Sequence, residues 1–169
     1  KQLSWFNNLP LVSFLLLRGR CRSCRSPIPW QYPLVELIFG FLTVYLIYFH
    51  FGIWNLLIGY FLLAIFLSDL NYSTIPDHFL YPAFILVFIS QLPNILIINL
   101  VVGFGAAAFF WGLHRLTKGR GMAVGDVKLA GLIGFLLGFP LILVALYFAF
   151  LTGALAGVIL ILLGKKKFG

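Results

Sequence analysis

Acidic side chains are nearly missing from this sequence of 169 residues: Glu36, Asp69, Asp77 and Asp126 are the only four. Charged residues of both signs make up 9% and apolar residues 62%, whereas a soluble domain carries about 25% charged residues. That shortage excludes an ordinary water-soluble domain. Lysine and arginine are absent from residues 26–114, which excludes a continuous basic surface, and no nucleic-acid partner is expected. Cysteine is down to Cys21 and Cys24. No internal repeat is visible. The first residues are neither a short basic region nor an apolar core, so no cleavable signal peptide is expected. The sequence does not begin with Met and stops just after a basic run, as a piece of a longer chain would.

What is present is segregated. The twelve basic residues give a net charge of +8 and fall in three clusters. Lys1, Arg18, Arg20, Arg22 and Arg25 come first; Arg115, Lys118, Arg120 and Lys128 form the second; Lys165, Lys166 and Lys167 end the chain. Clusters separated by apolar runs are the positive-inside pattern of a multispanning membrane protein. The runs predict spans over about residues 33–50, 53–68, 78–92, 95–113, 126–138 and 141–163. Several are short against the roughly 20 residues that cross a bilayer. Six crossings return every basic cluster to the cytoplasmic side, and they put Asp69, Asp77 and Asp126 there too. The expected fold is all-α: a polytopic transmembrane helix bundle of about six spans, residues 33–169, behind a small cytoplasmic segment, residues 1–32.

Pro27, Pro29 and Pro33 are expected to keep the stretch before the first span non-helical. Glu36 then falls in a first helical turn, where the dipole favours a carboxylate. Residues 69–77 (Asp-Leu-Asn-Tyr-Ser-Thr-Ile-Pro-Asp) form a polar connector, Pro93-Asn94 a tight turn, and residues 114–125 a basic, glycine-rich loop. Gly134-x-x-x-Gly138 and Gly153-x-x-x-Gly157 are spaced for close helix contact.

Each aspartate has a structural alternative. Asp77 follows Ile75-Pro76 and precedes a helix, so it reads as an N-cap with a supporting role. Asp126 also precedes a helix, but Gly121 and Gly125 beside it allow a tight turn and close backbone approach, and Lys128 completes this candidate turn. Asp69 ends a helix, where the dipole disfavours a carboxylate, and capping does not explain it. Ionisable groups at membrane depth are mostly functional. Two carboxyls brought together share a proton, so Asp69 and Asp126 are the candidate catalytic pair of an aspartic protease. Their helix ends suggest that Asp126 activates water and Asp69 holds the proton, although strong coupling assigns titration to the pair.

Three blocks carry a family resemblance: Asn8-Leu9-Pro10 through the Cys21–Cys24 turn to Tyr32-Pro33-Leu34-Val35-Glu36; Asp69 with Ile75-Pro76-Asp77; and residues 121–129, Gly-Met-Ala-Val-Gly-Asp-Val-Lys-Leu. Together they resemble the type IV prepilin peptidases. The resemblance implies a Gly-x-Gly-Asp intramembrane aspartic endopeptidase of the bacterial inner membrane. Such an enzyme cleaves the basic leader of prepilins or pseudopilins after a glycine, at the cytoplasmic face, with Asp69 and Asp126 matching the catalytic pair. Proteolysis needs no cofactor. Many members also N-methylate the new N-terminus with S-adenosylmethionine. The sequence departs in two places: Ala123 stands where the first glycine of the motif is expected, and one of two usual Cys-x-x-Cys pairs is present.

Four thiolates at that spacing hold zinc, so Cys21 and Cys24 read as an incomplete zinc site, with free thiols or a disulfide as alternatives. Their basic surroundings favour a lowered thiol pKa. His50, His78 and His114 read as interfacial residues, and the loop at residues 115–120 as a surface for anionic lipid. Two other functions compete. One is a related aspartic peptidase for preflagellins or other membrane peptides. The other is a small non-enzymatic transporter, whose aspartates would be spread across the membrane instead of gathered on one side.

Overall fold

The structure, a computed structural model, describes residues 11–22, 24–92, 97–119 and 122–162. Gly121, the Pro93-Asn94 turn, Lys1, Arg120 and the Lys165, Lys166 and Lys167 cluster lie outside the described residues. Seven helices run in order among them: α1 (Val12–Leu16), α2 (Gln31–Tyr48), α3 (Gly52–Tyr72), α4 (Asp77–Gln91), α5 (Ile97–Leu116), α6 (Val124–Leu137) and α7 (Leu141–Leu162). The only β-type pairing among the described residues is an isolated bridge, Arg20 to Pro27. The chain is all-α, as its apolar runs predict.

These helices have no polar face. Phe41, Ile47, Phe104 and Val158 are all exposed, a surface that water does not tolerate and lipid does. Four helices are long and apolar enough to cross a membrane: Gln31–Tyr48, Gly52–Tyr72, Ile97–Leu116 and Leu141–Ile159. The other two long elements are shorter, α4 with 15 residues and α6 with 14. At 1.5 Å per residue they reach about 21–22 Å, against a hydrocarbon core of about 30 Å.

The chain divides into two compact units, Lys1–Ala64 and Ile65–Gly169, with the division inside α3. In the first unit, a turn carries the cysteines: Cys21 N–H donates to Ser26 O (2.9 Å) and Ile28 N–H to Gly19 O (2.8 Å). Two sequence expectations are corrected here. Pro33 is not outside the helix but in the first turn of α2 and buried, because a first-turn residue needs no N–H donor. Glu36 therefore lies beyond that first turn. Its carboxylate accepts the Leu11 N–H at 2.7 Å, which replaces the dipole role. Thr43 on α2 bonds Tyr60 on α3 through their hydroxyls at 2.6 Å.

The second unit is built on the crossing of α5 and α6. A Cβ on Gly103 would lie 3.0 Å from Gly131 O, and one on Gly134 would lie 3.0 Å from Gly103 Cα. Three glycines thus let the two backbones touch. Phe110, Val127 and Ala130 are buried beside this crossing, with Met122 and Leu146 packed on them. Toward the C-terminal end of α6, Gln91 Nε2 donates to Phe135 O (3.1 Å) and Leu136 O (3.2 Å). Asn99 Nδ2 donates to Gln91 Oε1 at 3.0 Å. The glycine spacings read from sequence are only partly used. Gly134 makes the contact, Gly138 ends α6 at φ 64°, and Gly153 and Gly157 meet nothing within 4 Å among the described residues.

Candidate active site

Asp69 occupies the last turn of α3 and is exposed. Its backbone carbonyl accepts the Ser73 N–H at 2.7 Å, which closes the helix. Ser68 Oγ donates to Thr74 O at 3.2 Å and ties the connector back to α3. No hydrogen bond to the Asp69 carboxylate occurs among the described residues. The connector then turns at Ser73, with φ 51°, and runs through Ile75-Pro76 into α4.

The N-cap reading of Asp77 is corrected. Pro76 is the capping residue and makes no side-chain bond, while Asp77 is the first helical residue. The Asp77 carboxylate faces another helix instead. Lys128 Nζ on α6 lies 2.7 Å from Asp77 Oδ1, donates to Tyr81 Oη at 3.4 Å and sits 5.3 Å from the Tyr81 ring centroid.

Asp126 lies inside α6 rather than before it, at the third helical position. Its Oδ2 accepts the Ala123 N–H at 3.0 Å. This is one half of a capping box; alanine has no oxygen to return the other half. The bond satisfies a helix-terminal donor and fixes the side-chain direction of a half-buried carboxylate.

Gly125 is helical, so close approach rather than turn freedom explains it. A Cβ there would lie 2.9 Å from Ile75 Cβ. The connector that leaves Asp69 therefore rests on the turn that carries Asp126. We expect Gly125→Ala to push the two apart, at about 1–3 kcal/mol of stability, and Ile75→Gly, which removes the opposing Cβ, to make that substitution cost less. Unfolding midpoints of the two single variants and the double variant in lipid-like detergent check this coupling. Equal losses from Gly125→Ala with and without Ile75→Gly contradict it.

The geometry thus joins Asp77 to Lys128 and Ile75 to Gly125. No hydrogen bond or ion pair joins Asp69 to Asp126. Sequence reasoning placed Asp77 and Lys128 in the same region but missed their pairing, and it missed Tyr81. Opposite charges in the only two Asp-containing blocks of this half were the available signal.

Residues 56–158 match the type IV leader peptidase family, and residues 1–51 match the bacterial peptidase A24 N-terminal domain. The chain belongs to the type IV leader peptidase family. Relatives of this peptidase family carry the name prepilin leader peptidase/N-methyltransferase. The Stutzerimonas stutzeri protein is 32% identical over 99% of this chain and 62% of its own length. The Aeromonas hydrophila protein is 35% identical over 92% of this chain and 58% of its own. The Vibrio cholerae protein is 37% identical over 81% of this chain and 58% of its own. The chain therefore spans about three fifths of the length of the relatives it matches. No solved structure matches it.

The donor set of the expected zinc site is incomplete among the described residues. Cys21 and Cys24 are free thiols and supply two of the four donors that structural zinc takes. Among the described residues no group of three His, Cys, Asp or Glu side chains gathers around them. Beside them lies a groove of about 610 Å³ whose charged lining is Arg18 and Arg20.

The expected thiol activation is present at Cys24, with a different cause. Hydrogen bonding from the Ser26 side chain, then from the Ser26 backbone and Cys21, lowers its pKa from 9.0 to about 7. Cys24 Sγ lies 3.0 Å from Ser26 Oγ. A lowered pKa means thiolate above that value. Alkylation of Cys24 by iodoacetamide, followed by peptide mass spectrometry, is expected to rise with a midpoint near pH 7, and Ser26→Ala to move the midpoint upward. A midpoint that Ser26→Ala leaves in place contradicts the assignment.

Proposed function

We propose that this chain is the membrane-embedded part of an aspartic endopeptidase that removes the basic leader of prepilins or pseudopilins. In this reading residues 33–169 form the peptidase domain with six crossings, residues 1–32 a cytoplasmic segment, and the active site faces the cytoplasm at the bacterial inner membrane. Asp69 and Asp126 are the catalytic pair. Gly121 and Gly125 belong to the active-site turn, and Asp77 supports it. One observation carries the reading: the helix end with Asp69 and the helix start with Asp126 are linked by a short connector whose Ile75 rests on Gly125.

The chemistry follows from two carboxyls. Asp126, at the positive end of α6, takes a proton from water as the oxygen adds to the scissile carbonyl carbon. Asp69 gives its proton to the carbonyl oxygen. Return of a proton to the amide nitrogen then breaks the C–N bond. The N-methylation in the relatives' names, which would use S-adenosylmethionine, belongs to the whole protein in this reading.

The test is cleavage of a synthetic prepilin by the purified chain in lipid nanodiscs, with products identified by mass spectrometry. A leader ending in glycine is the expected product. An intact prepilin alongside cleavage of a preflagellin or another membrane peptide favours the related-peptidase reading. No cleavage of any of them contradicts the proposal.

A further inference from the structure

We propose that Lys128 is a positioning residue of this site: through Asp77 it latches the connector at residues 73–77 onto α6 and so sets the spacing of Asp69 and Asp126. The inference rests on the reading of those two aspartates as the catalytic pair.

The register of α6 makes the latch. Gly125 and Lys128 are three residues apart and share one helix face. Ile75 rests on the first and Asp77 bonds the second. Residues 75–77 therefore lie along that face. Asp126 and Lys128 are two residues apart, a spacing that does not face, so the ammonium is not aimed at the Asp126 carboxylate. It acts through Asp77 instead. On α4, Asp77 and Tyr81 are four residues apart and share a face, and Lys128 Nζ reaches both, at 2.7 and 3.4 Å.

Without the latch the connector has freedom to spare. Residues 73–76 are four in number and can reach about 14 Å when extended. Their other ties toward α3 and α6 among the described residues are the Ser73 N–H bond to Asp69 O, the Ser68–Thr74 bond and the Ile75 contact. Lys128 also borders an apolar groove of about 660 Å³, with Phe84, Ile85, Phe88 and Val127 in its walls. An ammonium deprived of Asp77 there turns toward water along its flexible stem. Exposed ion pairs add little stability, so the consequence of losing this one is geometric.

The experiment uses the chain in nanodiscs with a synthetic prepilin. Lys128→Met and Asp77→Asn are each expected to lower kcat about 10-fold with KM changed less than about twofold, the pattern of a misplaced catalytic group. Lys128→Arg and the exchange Lys128→Asp with Asp77→Lys are expected to recover most of the rate. A second readout needs no turnover. In a Cys21→Ser, Cys24→Ser background, cross-linking between Asp69→Cys and Asp126→Cys is expected to slow when Lys128→Met is added. Unchanged kcat in both single variants, an exchange variant as slow as the singles, or unchanged cross-linking overturns the inference. Asp69→Asn in the same assay separates the two claims. If it cleaves normally, the catalytic pair fails; if it is silent while Lys128→Met is normal, only the latch fails.

Discussion

Asn at position 69 or at position 126 is expected to lower prepilin cleavage by about 10²–10⁴-fold, the range for losing a positioned acid or base. The fold should survive both changes. Asp69 is exposed, and no hydrogen bond to its carboxylate is lost among the described residues. Asp126 has one structural bond, from the Ala123 N–H, and an asparagine Oδ1 accepts it equally. Activity and stability should therefore separate: rate collapses while the unfolding midpoint moves little. A variant that still cleaves within a few-fold of wild type removes that aspartate from the chemistry.

The second large effect concerns the fold. Gly103→Leu and Gly134→Leu are expected to destabilise the protein by about 1–3 kcal/mol, the cost of overpacking a closed contact. In helices leucine is otherwise favoured over glycine by roughly 0.5–1 kcal/mol, so the sign tests the crossing itself. At Gly103 the new Cβ meets Gly131 O at 3.0 Å, and at Gly134 it meets Val102 O at 3.1 Å. Both obstacles are backbone and cannot rotate away. Gly105 and Gly153 have open space, and Leu there should be neutral or stabilising. Unfolding in mixed micelles compares the four variants; equal outcomes contradict the contact.

Much of this was legible because the chain has so few charges. With four acids in the sequence, two at the ends of apolar runs stand out, and the runs themselves give α2 to α7. Boundaries were less legible. Pro33 reads as a breaker, yet the first turn of a helix tolerates proline, so α2 starts earlier and Glu36 loses its dipole role. Asp77 reads as a cap because local sequence cannot show a partner 51 residues away. The same limit hid the crossing. Gly153-x-x-x-Gly157 has the spacing for contact and no contact among the described residues, whereas Gly103, Gly131 and Gly134 meet because two helices approach there. Spacing along one helix does not say which helix lies opposite.

The central claim is that Asp69 and Asp126 form one site. It is tested most directly by cross-linking Asp69→Cys to Asp126→Cys with a short bis-maleimide in nanodiscs, in a chain carrying Cys21→Ser and Cys24→Ser. The account predicts an intramolecular cross-link in the resting protein, competed by a synthetic prepilin. Absence of the cross-link, while each thiol alone reacts with a water-soluble maleimide, contradicts it.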